Sequence, residues 1–112
     1  MDSFAALSDP SRRLILEMLA AEGELNAGEI GSRFEFTAPA LSKHLKILRE
    51  AELVNMEKRA QSRVYSVRPQ GMQELAEWVQ RMNEFWGTRI DRLEQLLREE
   101  NLKKTKERKV WP

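Results

Sequence analysis

Apolar residues recur along this chain at two different intervals, and the change of interval separates a helical body from a short β segment. Between Thr37 and Val54 the sequence reads TAPALSKHLKILREAELV, with Leu41, Leu45 and Leu48 at steps of four and three. That spacing brings side chains onto one face of a helix. Thr37 supplies an N-cap hydroxyl, and Pro39 falls in the first turn, where a missing backbone donor costs little. The opposite face carries Ser42, Lys43, Lys46 and Arg49, with no acid before Glu50. In front of this helix, Asn26-Ala-Gly-Glu29 has the spacing of a capping box and leads into Ile30 and Phe34 at helical spacing, which predicts a short helix. Only Glu35 and Phe36 then precede Thr37, so a tight turn joins the two helices, a helix-turn-helix arrangement.

Beyond Glu52 the period shortens to two. Val54 and Met56 alternate with Asn55 and Glu57, Lys58 to Ser62 is polar, and Val64-Tyr65-Ser66-Val67 returns to β-branched and aromatic content. Two strands joined by a basic loop form a hairpin, or wing. The expected fold class is therefore mainly α with a small β-hairpin, a winged helix-turn-helix. Tyr65 and Val67 are read as packing on the helices. Upstream, Phe4 and Leu7 belong to a short opening helix, and Ser8-Asp9-Pro10 caps a second. Leu14, Ile15, Met18 and Leu19 give that second helix one apolar face until Gly23 ends it. Arg12 and Arg13 stand in its first turn against the local dipole; they are read as a solvated pair, with a counter-charge or a phosphate as the alternative.

From Gly71 to Leu97, Leu75, Val79, Met82, Trp86, Leu93 and Leu96 recur with a helical period, and Trp78, Phe85, Ile90 and Leu97 broaden the stripe. So much aromatic surface exceeds what one small core needs, and the face is read as packing on a partner rather than inside its own monomer. Pairing with a second copy through Trp78, Met82, Phe85, Trp86, Ile90, Leu93 and Leu97, aided by Phe4 and Leu7, predicts a dimer through the N- and C-terminal helices. Two reading helices then lie about 34 Å apart, one turn of duplex. Gly87 costs this helix about 1 kcal/mol relative to alanine. From Arg98 the chain is rich in Lys and Arg without an apolar period, ending in Val110-Trp111-Pro112. Residues 1–97 are expected to form the DNA-binding and dimerisation domain and residues 98–112 a charged tail, read as frayed rather than as a DNA-binding arm.

Charge changes this picture through its distribution. The net charge of the 112 residues is only +1, but residues 1–36 carry −4, residues 37–68 carry +4, residues 69–97 carry −2 and residues 98–112 carry +3. The helix from Thr37 and the wing thus form the cationic block that a phosphate-binding face requires. Candidate DNA contacts are Thr37, Ala38, Pro39, Ser42, Lys43, His44 and Lys46 on the helix and Lys58, Arg59, Gln61 and Arg63 on the wing. Lys43 and Lys46 suit guanine edges or phosphates, Ser42 a phosphate, and Ala38 and Pro39 thymine methyls. The plain alternative for the helix face is an ordinary solvated surface. His44 is read either as a structural side chain bonding a neighbouring carbonyl or as a contact to a phosphate or base.

Three runs carry a family resemblance: Ala6-Leu-Ser-Asp-Pro-Ser-Arg-Arg13, Ala40-Leu-Ser-Lys-His-Leu-Lys-Ile-Leu-Arg-Glu-Ala51 and Glu84-Phe-Trp-Gly-Thr-Arg-Ile-Asp-Arg-Leu93. In their order and spacing, over residues 4 to 98, they resemble the arsenic-repressor-like (ArsR/SmtB) family of bacterial winged-helix repressors. The resemblance implies a homodimeric, DNA-binding transcriptional repressor, and the expected target is a near-palindromic operator on double-stranded DNA, its own promoter among the candidates. Metal-sensing members carry cysteines where this chain has Asn26 and Gly28, and neither residue is a soft metal ligand. With no cysteine and one histidine, a thiolate or multi-histidine site cannot be built within one chain, so no metal and no cofactor are expected. The family often has glycine in the wing turn, where Ala60-Gln61 stands here.

No run approaches the roughly 18 apolar residues of a membrane span, and no export segment opens the chain, so a cytoplasmic protein without a membrane partner is expected. No residue pattern identifies an effector. The sequence offers no catalytic triad, paired carboxylates or phosphate-cradling glycine loop, which argues against an enzyme. The competing reading is a protein-interaction module that uses the aromatic helix without specific DNA binding.

Overall fold

The computed structural model describes the backbone of residues 2–107 and the side chains of residues 2–102. Four short polar side chains set where the first four helices begin. Asp2 Oδ1 accepts from the Phe4 amide at 2.9 Å to open α1 (Ser3–Ala6), and Asp9 Oδ1 accepts from the Ser11 amide at 2.7 Å to open α2 (Pro10–Glu22). Asn26 and Glu29 form the reciprocal capping box of α3 (Ala27–Gly31), and the Thr37 hydroxyl accepts from the Ala40 amide at 3.2 Å to open α4 (Ala38–Glu50). Each bond satisfies a backbone donor that the first turn of a helix leaves without a partner.

Helix α4 ends in a Schellman turn. The Glu52 amide donates to the Arg49 carbonyl at 2.9 Å and the Leu53 amide to the Leu48 carbonyl at 3.0 Å, with Glu52 in the left-handed region at φ +60°. Leu48 and Leu53, at the two ends of the longer loop, are both fully buried. The chain then forms β2 (Val54–Arg59) and β3 (Ser62–Val67), the expected hairpin, closed by Ala60 and Gln61. A third strand that the sequence did not signal, β1 (Glu24–Asn26), pairs antiparallel with β3 and gives the order β1-β3-β2. Tyr65 lies between Leu25 and Met56 and is buried, as read from the sequence; Val67 packs on the core.

Ile15, Leu16 and Leu19 of α2, Ile30 of α3, Leu41, Leu45 and Leu48 of α4, and Leu25, Leu53, Val54 and Tyr65 make up most of the core. Leu14, expected inside, is 51% exposed. At 100° per residue, 15, 16 and 19 share one arc of the helix, and position 14 falls outside it. Helix α3 stops at Gly31 instead of reaching Phe34. The Arg33 amide bonds to the Ile30 carbonyl and the Phe34 amide to the Gly31 carbonyl, three residues back, so the last turn tightens out of the α-helix. Residues 32–37 therefore make a longer connector than the expected turn, and in it the Phe34 and Phe36 rings stack with centroids 4.8 Å apart.

Helix α5 runs from Pro69 to Glu107. It starts two residues before Gly71 and continues past Leu97, where the sequence predicts a charged tail. Glu, Lys and Arg are themselves good helix formers, and Arg98 lies 3.9 Å from Glu94 one turn earlier. Trp111 lies outside the described residues.

The chain divides into two compact units, one ending at Leu75 and one beginning at Ala76. Within the first, the opening turn of α5 rests on the corner after α4: the Arg68 amide donates to the Leu53 carbonyl at 2.9 Å, Met72 packs on the core, and Gly71 is buried against Glu52. Within the second, α5 carries an apolar stripe with Arg89 over the Phe85 ring. Among the described residues no helix is long and apolar enough to cross a membrane.

Candidate nucleic-acid interface

With Leu41, Leu45 and Leu48 turned inward, α4 exposes Thr37, Ala38, Pro39, Ser42, Lys43, Lys46 and Arg49 on its other side. The cationic face expected from the sequence is thus solvent-facing. Lys46 is 4.0 Å from Glu50, and at 74% side-chain exposure that pair holds it weakly. Lys43 makes no ion pair among the described residues. Arg63 on β3 faces this helix across a cleft of about 300 Å³ lined by Ser42, Lys46, Arg49, Glu50, Arg63 and Tyr65. Three cations against one carboxylate make the cleft attractive to phosphate. Thr37, Ala38, Ser42 and Arg63 also border a more apolar groove of about 360 Å³ with Phe36, Leu41 and Leu45. The structure therefore brings Arg63 of the wing together with the start and middle of α4.

The rest of the wing divides. Lys58 and Gln61 are exposed beside the hairpin turn, but Arg59 is held by acids. Its guanidinium donates to both Glu24 oxygens at 2.7 and 3.0 Å and to Glu57 at 2.9 Å. The same hydrogen bonds and charge hold the Glu24 carboxyl below its ordinary pKa, and they raise that of Arg59. Arg59, expected to meet DNA, is half-exposed and in this structure bridges β1 and β2 through Glu24 and Glu57. Ala60 takes a left-handed φ of +54° where glycine is the residue without steric cost.

Of Arg12 and Arg13, expected to be a solvated pair, Arg13 is exposed and Arg12 is largely covered. Arg13 Nη1 donates to the Leu7 carbonyl at 2.7 Å, and Arg12 Nε to the Ala6 carbonyl at 2.6 Å, so both reach the carbonyls that end α1. Asp9 lies 3.6 Å from Arg12, and its carboxyl is held below the ordinary value by the Ser11 amide, with the charges of His44 and Arg12 adding to the effect. Arg12 also meets His44 Nδ1 at 3.3 Å, and the imidazole ring lies tilted against Phe36. His44 thus meets a guanidinium on that side of the ring, where the structural reading expected a carbonyl. Arg12 and Glu24 are the two site-shaping residues that sequence reasoning missed. The one available signal was the unfavourable position of Arg12 in the first turn of α2.

Of the residues expected at a dimer interface, Leu7 packs partly on the core of its own subunit. Phe4 is exposed, as are Trp78, Met82, Phe85, Trp86, Ile90, Leu93 and Leu97, with Phe85 and Trp86 near 60%. At the place where metal-sensing members of the resembled family carry thiolates, Asn26 Oδ1 accepts from the Glu29 amide at 2.8 Å and Gly28 has no side chain. These residues do not fit a metal.

Residues 9–56 match the family described as bacterial regulatory protein, arsR family. The chain is 37% identical over 76 residues to the transcriptional repressor SdpR of Bacillus subtilis, covering 68% of this chain and 83% of that protein. It is also 37% identical over 71 residues to the transcriptional activator HlyU of Vibrio cholerae, 63% of this chain and 66% of that one. A crystal structure described as a possible transcriptional regulator for arsenical resistance superimposes with a TM-score of 0.67 at 30% identity, covering 88% of this chain and 96% of the other. The family consists of regulatory proteins rather than enzymes, and relatives named as a transcriptional repressor and a transcriptional activator disfavour the reading as an interaction module without DNA. The winged helix-turn-helix, its exposed cationic α4 and these relatives agree: the chain belongs to the arsR family of bacterial regulatory proteins and is a DNA-binding transcriptional regulator.

Proposed function

We propose that this regulator is a cytoplasmic, homodimeric repressor that occupies a near-palindromic operator, with one α4 in each of two successive major grooves. The observation that carries this reading is the cleft shared by Lys46, Arg49 and Arg63, with Lys43 exposed on the same helix, in front of three buried leucines. Lys43 and Lys46 meet guanine edges or phosphates, Ala38 and Pro39 meet thymine methyls, and Thr37, Ser42 and His44 meet the backbone. Lys58, Gln61 and Arg63 follow the adjoining strand, with Arg59 bracing the hairpin. The apolar stripe of α5, with Phe4, closes the twofold dimer, since an exposed face this broad is a common mark of an interface. Residues 1–97 suffice for these two tasks, without the basic segment from Arg98. The match to the repressor SdpR covers 83% of that protein, against 66% of the activator HlyU at the same identity, and this favours repression.

Footprinting of the upstream region of the chain's own gene, with sedimentation of the same protein, tests the proposal. A twofold-symmetric protected site and a dimer are expected, and deletion should raise expression from that promoter. Lys43→Ala and Lys46→Ala each weaken operator binding and lower its salt slope by about one, with the dimer intact. Parent-like affinity in either variant, or only sequence-blind binding, refutes the assigned face; falling expression on deletion refutes repression.

A further inference from the structure

Arg12 lies on α2, away from the reading helix, yet its side chain is only 12% exposed and reaches four groups. Nε donates to the Ala6 carbonyl at 2.6 Å, Nη2 to the Ala5 carbonyl at 3.3 Å, and Nη1 stands 3.3 Å from His44 Nδ1 and 3.6 Å from the Asp9 carboxylate. A guanidinium has donors and no acceptor. In the contact with His44 it is therefore Nδ1 that accepts, and the neutral imidazole keeps its proton on Nε2. Phe36 holds the ring from another side, with centroids 5.2 Å apart. Nε2 has no hydrogen-bond partner among the described residues, and His44 is half-buried at the flank of the leucine stripe, on the helix whose outer face is proposed to meet DNA.

We infer that Arg12 is a positioning residue for DNA binding: by occupying Nδ1 it fixes His44 as an Nε2–H donor to the phosphate backbone. The inference rests on the reading of α4 as the DNA-facing helix. Arg12 does not itself meet phosphate, because its guanidinium is covered and already faces a carboxylate and two carbonyls. Orientation of the imidazole comes from α2, and the donor that results belongs to α4.

The test is a double-mutant cycle on the footprinted operator, with binding measured across a salt series at about pH 8, above the ordinary imidazole range. Arg12→Met is expected to weaken binding about threefold to tenfold, the factor for one lost hydrogen bond, with the salt slope unchanged. In a His44→Gln background the same change should cost nothing further. His44 is the only histidine in the chain, so its ring nitrogens can be read without ambiguity by ¹⁵N NMR. The parent should show Nδ1 unprotonated and Nε2 protonated, and Arg12→Met a mixture of both tautomers. Equal losses in both backgrounds would make Arg12 a support for α1 alone, and a slope lowered by about one would make it a phosphate contact; either overturns the inference. So does unchanged affinity, or a parent spectrum with the proton on Nδ1. Should Arg12→Met fail to fold, Arg12→Lys, which keeps the charge but not the fork, takes its place in the cycle. If Lys43→Ala and Lys46→Ala leave operator binding intact, it is the reading of α4 that fails, whatever Arg12 does.

Discussion

Replacing Gly71 by alanine tests how α5 is seated, because two general effects predict opposite signs. Alanine is favoured over glycine inside a helix by about 1 kcal/mol, so an unobstructed site would gain stability. In this structure the added Cβ would stand 1.9 Å from the Glu52 carbonyl oxygen and 3.0 Å from its carbonyl carbon. Carbon and oxygen normally approach no closer than about 3.3 Å, so the first turn of α5 and the corner after α4 must part by more than about 1 Å. No side-chain rotation relieves this. The obstacle is backbone, held at φ +60° by the two amide bonds of the Schellman turn. Parting the two segments strains the 2.9 Å bond from the Arg68 amide to the Leu53 carbonyl and lifts Met72 from the core. Overpacking costs about 1–3 kcal/mol and a weakened hydrogen bond about 1 kcal/mol. After the gain in helix propensity, a net loss of about 2 kcal/mol is expected, or roughly a 10 °C fall in Tm. Urea unfolding followed by circular dichroism gives the number, at one protein concentration because the proposed dimer would couple stability to concentration. Gly87→Ala in the same helix is the control: nothing lies within 4 Å of its added Cβ, and a gain of up to about 1 kcal/mol is expected. A Gly71→Ala protein as stable as its parent refutes the seating of α5 on Glu52.

Other perturbations address the wing and the helix beyond Ala76. Ala60→Gly should raise stability by up to about 1 kcal/mol, because the left-handed φ of +54° suits glycine; a lower melting temperature would mean that the hairpin turn is not strained. Because Arg59 depresses the Glu24 pKa in the folded chain, their pairing stabilises the wing above the unfolded value of about 4.3 and is lost as pH falls through the lower folded value. Glu24→Gln should therefore flatten the acid limb of Tm against pH, and a limb identical to that of the parent counts against the brace. Trp86, 60% exposed on α5, should lower dimer affinity about tenfold or more when changed to alanine and weaken operator binding with it; an unchanged sedimentation profile contradicts the proposed interface.

What could be read from the sequence is what residues within about one turn of each other decide. Thr37 with Pro39, Asn26 with Glu29, and the leucines of α4 are local patterns, and each stands where its spacing placed it. Strand β1 was illegible because three residues with one apolar side chain show no alternation, and the partners that make it a strand lie at Val64 to Ser66. The end of α5 was misread for a different reason. A run of Glu, Lys and Arg supports a helix without an apolar period, so periodicity alone cannot distinguish such a helix from a tail.

Arginine roles were the hardest to read, because a guanidinium takes its role from whichever acceptors the fold brings to it. Arg12 meets His44 across 32 positions and Arg59 meets Glu24 across 35. Lys58 and Arg59 look alike in sequence, yet only Arg59 bridges the two outer strands. A count of positive residues therefore overstates how many face DNA, while concealing the pairs that set the angle of those that do. In the wing, the pairing that takes Arg59 from the phosphates ties β1 to β2, the strands on either side of the one that carries Arg63. In α2, the bonds that hide Arg12 fix a donor on the reading helix. On the proposed reading both arginines act on binding through geometry rather than charge, and a salt series would separate them from Lys43 and Lys46, since removal of a side chain that touches no phosphate leaves the number of released counterions unchanged.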